Sequence, residues 1–190
     1  MIGNDIVDLA FAGINSRWRE QRFLDKLFSN QEQGFILSDG NRFENIWKLW
    51  SMKESAYKIV SRADGIVRFN PKDFKCFPLN GRDGYVICQN TFVPTVTETN
   101  QKFIQTTAYL KQNWISDVFQ VSNTDAEVSY KHRYQHAVVA YAQLMKVSVE
   151  TIEIIKNEIG VPQFHIQGIL QIEQLSLSHH GQFGAWAIAV

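Results

Sequence analysis

The chain has 190 residues, 45% hydrophobic and 13% aromatic, with 19 basic and 19 acidic side chains that cancel to zero formal charge. This composition suits a globular protein with one good core or two small lobes; it excludes disorder and a general field for nucleic acid or membrane, so any polyanion must be held by a local cluster. Cys76 and Cys88 are the only cysteines and do not form a CxxC pair, which argues against a cysteine zinc site and for two small buried thiols in a reducing compartment, with a single disulfide between them as the other reading. The opening MIGNDIVDL has an acid at position 5 and no basic leader, and no run reaches the eighteen apolar residues of a membrane span, so the expected location is cytoplasmic.

In chain order, Met1 to Val7 is short, apolar and β-branched, a pattern for a buried strand that delivers Asp5 near its end, with Asp8 in the exit turn. Ser16 can cap a helix running to about Phe28, with Phe23, Leu24, Leu27 and Phe28 inward and Arg19, Arg22 and Lys26 along another face. Ser29 and Glu32 have capping-box spacing for a short second helix ending near Gly40. Asn41 with Glu44 then starts a long aromatic helix that should stop before Gly65. Along it, Phe43, Trp47, Trp50, Glu54 and Tyr57 follow three-and-four spacing, which puts Glu54 on the stripe expected to face the core, and Lys58 lies one turn from Glu54.

From Phe69 to about Ser122 the pattern becomes one of strands, in DFKCF, GYVICQ, KFIQTTAYL and WISDVFQV, expected to form one antiparallel sheet. The polar stretch Ser122-Asn123-Thr124-Asp125 is the best internal boundary and divides the chain into lobes 1–122 and 123–190. A helix to about Val147 follows, with Ala137, Val138, Tyr141 and Leu144 inward. Then come a strand at Ile152 to Ile155, a Gly160-Val161-Pro162 turn, and two closing strands in LSLSHH and FGAWAIAV.

Asp5 and Glu54 are carboxylates that a core would reject unless a cation satisfied them, and magnesium suits such a pair because it takes only one or two protein carboxylates beside water and substrate phosphate. Lys53 and Lys58 could neutralise that phosphate. The competing reading makes Asp5 a turn cap and Glu54 an ordinary partner of Lys58. In Ser176-Leu177-Ser178-His179-His180-Gly181, alternation puts Leu175 and Leu177 on one face and Ser176 and Ser178 on the other. Adjacent Ser and His side chains therefore diverge, and without a G-x-S-x-G elbow a hydrolase triad is rejected. A hydroxyl, an imidazole and turn N–H groups make an anion site, against the plainer reading of a surface turn with two solvated histidines.

Gly3-Asn4-Asp5, the Trp50 to Lys58 segment WSMKESAYK, Gly160-Val161-Pro162 and SLSHHG together resemble the G-x-D, W/F-x-x-K-E-x-x-x-K, G-K-P and S-x-S-H elements of the 4′-phosphopantetheinyl transferase superfamily. The helix motif is the specific one. HRYQHAVVAYAQLM and ETIEIIKNEIGVP are similar to the helix and strand ahead of the adenine-side turn in the surfactin-synthetase-activating type. The resemblance implies an α+β fold of antiparallel sheets packed with a long helix. The implied reaction moves phosphopantetheine from coenzyme A to a serine of an acyl- or peptidyl-carrier protein and releases adenosine 3′,5′-bisphosphate.

By the same resemblance Asp5 and Glu54 hold Mg2+, and Glu54 is the base for the serine hydroxyl. Lys58 grips the pyrophosphate, Ser178, His179 and Arg133 surround the nucleotide phosphates, and Gly160 and Pro162 border the adenine. An acidic carrier docks on Arg19, Arg22 and Lys26. Val161 replaces the usual lysine, and Val7 stands where two-lobed members carry a second metal carboxylate, for which Asp8 is a substitute. The motif order implies a two-lobed, pseudo-symmetric monomer with its lobes rearranged, as if cut before Met1 and joined near Asn123, with Val190 close to Met1. The alternative is a small synthase with an inserted sheet. Two other functions stay open: a degenerate relative that only binds coenzyme A or a carrier, and a magnesium phosphohydrolase of another fold.

Overall fold

The computed structural model describes residues 1–38, 40–79, 81–110, 113–121 and 126–190, with side chains from 134 onward in the last segment. The first strand, β1 (Ile2–Asp8), is buried along both faces except at Asp5. Asp8 ends it as the N-cap of a helix of about two turns, α1 (Leu9–Asn15), its Oδ1 accepting from the Phe11 N–H at 3.0 Å. The single helix expected from Ser16 to Phe28 is instead a turn followed by α2 (Gln21–Leu27). Arg19 therefore lies ahead of the helix, stacked over the Trp18 ring, while Arg22 and Lys26 stay one turn apart on its exposed side. Ser29 and Glu32 close the anticipated capping box on α3 (Asn30–Leu37). The long helix α4 (Arg42–Asp64) ends at Gly65, which adopts the left-handed conformation that stops a helix cheaply.

The core stripe of α4 runs through Ile46, Leu49, Met52, Ala56 and Ile59. It is offset from the expected one, so Phe43, Trp50 and Tyr57 flank the core, half-buried. Bulky rings misled the periodicity because they cover apolar surface from the border of a face as well as from its centre. Against this stripe packs a five-stranded antiparallel sheet of β1, β2 (Phe74–Pro78), β3 (Asp83–Cys88), β4 (Thr91–Thr99) and β5 (Phe103–Tyr109), in the order β1-β5-β4-β3-β2. β4 carries Pro94 among threonines, a composition that hides a strand from propensity arguments. Cys76 and Cys88 are buried free thiols.

WISDVFQV does not join that sheet. It forms β6 (Trp114–Gln120), an edge of a second antiparallel sheet with β7 (Ile152–Lys156), β8 (Pro162–Ile166), β9 (Ile169–His180) and β10 (Phe183–Ala189), in the order β6-β10-β9-β8-β7. The sheets thus divide within 110–113, not at 122/123, because the partner of β6 is β10, far along the chain. Helix α5 (Ala126–Met145) covers the second sheet through Ala137, Tyr141 and Ala142, with Tyr141 stacked on Phe164 at 3.8 Å between centroids. Leu144, expected inward, is 38% exposed, and Ala142 takes its place. Each half repeats one topology: a strand, a helical segment, then four strands, the first strand pairing with the last.

The halves meet at β1. Ile2 packs on Ala187 and Ala189, and Ile6 on Phe183 and Ala185, all buried. Each fully buried Ile contributes about 1.5–3 kcal/mol. Met1 and Val190 line one small cavity, so the ends lie together.

Candidate active site

Gly3 brings β1 against α4: a side chain there would collide with the Ser55 carbonyl and crowd Lys58. The close approach sets Asp5 beside the helix, with the Ser51 hydroxyl donating to the Asp5 carbonyl at 3.4 Å. Asp5, Glu54 and Lys58 form one electrostatic group. Burial pushes the Asp5 carboxyl up to about 6, opposed by the Lys58 ammonium and the Ser51 hydroxyl. Glu54 is pushed up to about 7 by burial and then by the Asp5 charge, with Lys58 opposing. Burial lowers Lys58, while the two carboxylates hold it up. Two buried carboxyls above the ordinary range, one of them raised further by the charge of the other, are poised for a cation or a proton.

Asp5 Oδ2 is buried without a hydrogen-bond partner, as is Asn4 Oδ1 on the neighbouring residue. Buried oxygens without donors are costly, and hard oxygen donors are what magnesium takes. Among the described residues no group of three or more His, Cys, Asp or Glu side chains could hold a metal; magnesium takes only one or two protein carboxylates beside water and phosphate, a number that Asp5 and Glu54 can supply. Asp8 does not extend it. Its Oδ1 caps α1 and its Oδ2 accepts from the Gln182 N–H at 2.9 Å.

Asp5 and Lys58 open onto a cleft of about 340 Å³, whose other lining residues are Tyr134, Lys156, Gly160, Pro162, Leu177, Ser178 and His179. The expected turn and strand end thus share one cavity with Asp5 and Lys58. On β9 the predicted alternation holds: Leu175 lies in the second core, while Ser176 and Ser178 face β1. Ser176 Oγ accepts from the Asn4 N–H at 2.9 Å, and Ser178 Oγ accepts from Asn4 Nδ2 at 3.0 Å. His180 Nδ1 accepts from the Asp8 N–H at 3.0 Å, so this imidazole is structural, whereas His179 is exposed to the cleft. Lys58 donates to the carbonyls of Asn4 at 2.5 Å and Leu177 at 3.1 Å, leaving one of its three N–H groups for a ligand.

Lys53 is not in the cleft. It points to the other side of α4, fully buried, where it pairs with Glu32 at 2.6 Å and donates to the carbonyls of Pro71 at 2.9 Å and Phe74 at 2.5 Å. Residues one apart on a helix diverge by about 100°, so Lys53 and Glu54 could not serve the same phosphate. The Arg133 side chain lies outside the described residues. Val161 lines a second cavity of about 230 Å³, with Arg62, behind the turn. Tyr134, Lys156 and Arg62 were not singled out from the sequence. Lys156 is a cation at the end of the strand leading into the turn, and Arg62 continues the four-residue spacing of Glu54 and Lys58, signals that extending either motif would have caught.

No curated protein matches the chain significantly. Among solved structures, the chain is similar to the holo-(acyl-carrier-protein) synthase of Thermotoga maritima, with 12% identity, 85% of this chain and 83% of that one covered, and a TM-score of 0.46. The model of the 4′-phosphopantetheinyl transferase superfamily matches residues 1–142. That span includes the Asp5 strand and the whole lysine helix with Glu54 and Lys58, the segments whose convergence builds one wall of the cleft, and by this match the chain belongs to the 4′-phosphopantetheinyl transferase superfamily.

Proposed function

We propose that this protein transfers the 4′-phosphopantetheine group of coenzyme A to a serine of an acyl- or peptidyl-carrier protein and releases adenosine 3′,5′-bisphosphate. The observation that carries this reading is the coupled pair Asp5 and Glu54, with an unsatisfied buried Asp5 oxygen, opposite a wall of Gly160, Pro162, Ser178 and His179. The cleft has two cationic residues, Lys58 and Lys156, where a pyrophosphate would lie. Asp5 and Glu54 would hold Mg2+, which supplies Lewis-acid polarisation and charge neutralisation to the phosphoryl group when bound.

In the transfer, the serine oxygen attacks the phosphorus nearer the pantetheine. The new P–O bond forms as the bond to the bisphosphate breaks, and the serine proton passes to ionised Glu54, directly or through one water. Lys58 directs its remaining N–H toward the pyrophosphate, where developing charge is stabilised without reorganisation because two backbone carbonyls already fix the ammonium. Ser178 and His179 orient the nucleotide phosphates, and Gly160 and Pro162 flank the base. Arg22 and Lys26, on the exposed face of α2, with Arg19 before it, form the basic surface for an acidic carrier.

Glu54→Gln tests the assignment. It keeps the volume and removes the charge, and transfer should fall by several kcal/mol of transition-state stabilisation, on the order of a thousandfold or more. Near wild-type turnover in magnesium would overturn it. The reading of a non-catalytic binder rests on Val161, which lines the cavity behind the turn; it predicts coenzyme A binding with no transfer.

A further inference from the structure

The strands that carry Asp5 and Ser178 face each other without a ladder between them. Among the described residues β1 pairs only with β5, and β9 pairs with β8 only as far as Gln174. Beyond that point the second half of β9 presents an open edge to the open edge of β1. Side chains fill the gap in a regular series. Lys58 donates to the carbonyls of Asn4 and Leu177. One helical turn on, Arg62 donates through Nη1 to the Ile2 carbonyl at 2.8 Å and through Nη2 to the Leu175 carbonyl at 2.7 Å. In the reverse sense, the Asn4 N–H donates to Ser176 Oγ and the Asp8 N–H to His180 Nδ1.

The spacing has a geometric basis. Four helical residues advance about 6 Å, and two strand residues advance about 6.6 Å, so cations four apart on α4 meet carbonyls two apart on both strands. The guanidinium suits the far rung because its rigid fork places two donors in fixed, divergent directions, which an ammonium on a flexible stem cannot match. Among the described residues Arg62 makes no ion pair, and these two carbonyls are its hydrogen-bond partners. Burial lowers it to about 10, with no carboxylate opposing. It is a half-buried cation whose hydrogen bonds go to backbone alone.

We propose that Arg62 is a positioning residue that locks β1 to β9 and so holds the two walls of the cleft in register. Asp5 and Lys58 lie on one wall and Ser178 and His179 on the other, and Arg62 touches none of the reacting atoms. The catalytic consequence rests on the proposed function: a ligand that must span both walls binds only as tightly as the walls are aligned. The carrier, docked on α2, is not affected by the seam.

The experiment uses the full chain as Arg62→Met, which keeps length and removes every donor, and as Arg62→Lys, which keeps the charge without the fork. Without substrate, amide exchange by NMR at Asn4 and Asp8 reads the seam directly. Exchange should quicken about tenfold or more in Arg62→Met and by less in Arg62→Lys, with far-UV circular dichroism unchanged. In transfer assays the KM for coenzyme A should rise about tenfold in Arg62→Met, with the carrier KM and the pH-rate profile unmoved and partial rescue in Arg62→Lys. Should Arg62→Met not fold, the intermediate values in Arg62→Lys carry the test. Wild-type exchange at both amides, or faster exchange with an unchanged coenzyme A KM, overturns the proposal. Faster exchange in a chain whose wild type transfers nothing sustains the clamp and removes the proposed function instead.

Discussion

Asp5 and Glu54 are held above the ordinary carboxylate range, and the sign of that shift sets a trade between stability and activity. Between 3.8 and about 6 for Asp5, and between 4.5 and about 7 for Glu54, the folded chain binds more protons than the unfolded one. Their contribution to stability is therefore greatest below pH 4, is lost as pH rises through about 6 and 7, and is flat above. In metal-free buffer at pH 8, Asp5→Asn and Glu54→Gln should each raise the thermal midpoint while each nearly abolishes transfer. A lowered midpoint in either variant, measured by scanning calorimetry with a chelator present, would contradict the electrostatic account. Magnesium binds the ionised pair, so adding it should stabilise the wild type at pH 8 and much less at pH 5, and neither variant should respond as strongly. The absence of any magnesium shift in the wild type at pH 8 would remove Asp5 and Glu54 as its ligands.

Helix α4 serves different purposes on opposite sides. Away from the cleft, Glu32 accepts from the Ser29 N–H at 2.8 Å, from the Cys76 N–H at 2.9 Å and from Lys53, so one carboxylate ties α3, α4 and β2 together. Removing one partner leaves a buried charge alone, and Lys53→Met or Glu32→Gln should cost about 3–5 kcal/mol in urea denaturation, whereas the double variant should cost less than the sum. Coenzyme A affinity should not change in whatever fraction is folded. A large loss of affinity in folded Lys53→Met would return this lysine to the phosphate site. On α2, reversing Arg22 and Lys26 together should raise the carrier KM and flatten its salt dependence with the coenzyme A KM unchanged. An unaltered carrier KM would take that surface out of the docking site. The capping box at Ser29 and the stop at Gly65 were legible in the sequence because both depend on local backbone chemistry. The burial of Lys53 was not, since its partner lies 21 residues away and the aromatic border of α4 pulled the apparent core stripe off register.

Two sheets of the same topology, joined within 110–113 and closed on each other at β1, make a cleft whose walls come from both ends of the chain. Strand alternation was enough to place Ser176 and Ser178 on one face, and the motifs were enough to name Asp5, Lys58, Gly160, Pro162 and His179, all of which line the cleft or its edge. The seam was not legible, because cations on a helix that satisfy carbonyls of two unladdered strands leave no pattern in any one segment. The same limit misplaced β6, whose sheet is decided by β10. Asn123, the expected junction of the rearranged lobes, lies outside the described residues and follows β6, so a cut there would separate β6 from the rest of its own lobe. Since Met1 and Val190 border one cavity, a chain joined there by a short flexible linker and reopened within 110–113 keeps both lobes whole. It should fold with a similar denaturation midpoint. Failure of that permutant to fold, measured by circular dichroism, would contradict the lobe division.

Coenzyme A, magnesium and an apo carrier protein, incubated with the chain and read by intact-protein mass spectrometry, test the central claim most directly. The account predicts that the carrier gains the mass of one phosphopantetheine on a single serine, with one adenosine 3′,5′-bisphosphate released per carrier modified, and that Glu54→Gln gives neither. Coenzyme A bound with no mass gained by any apo carrier, or bisphosphate released with the carrier unmodified, would contradict it.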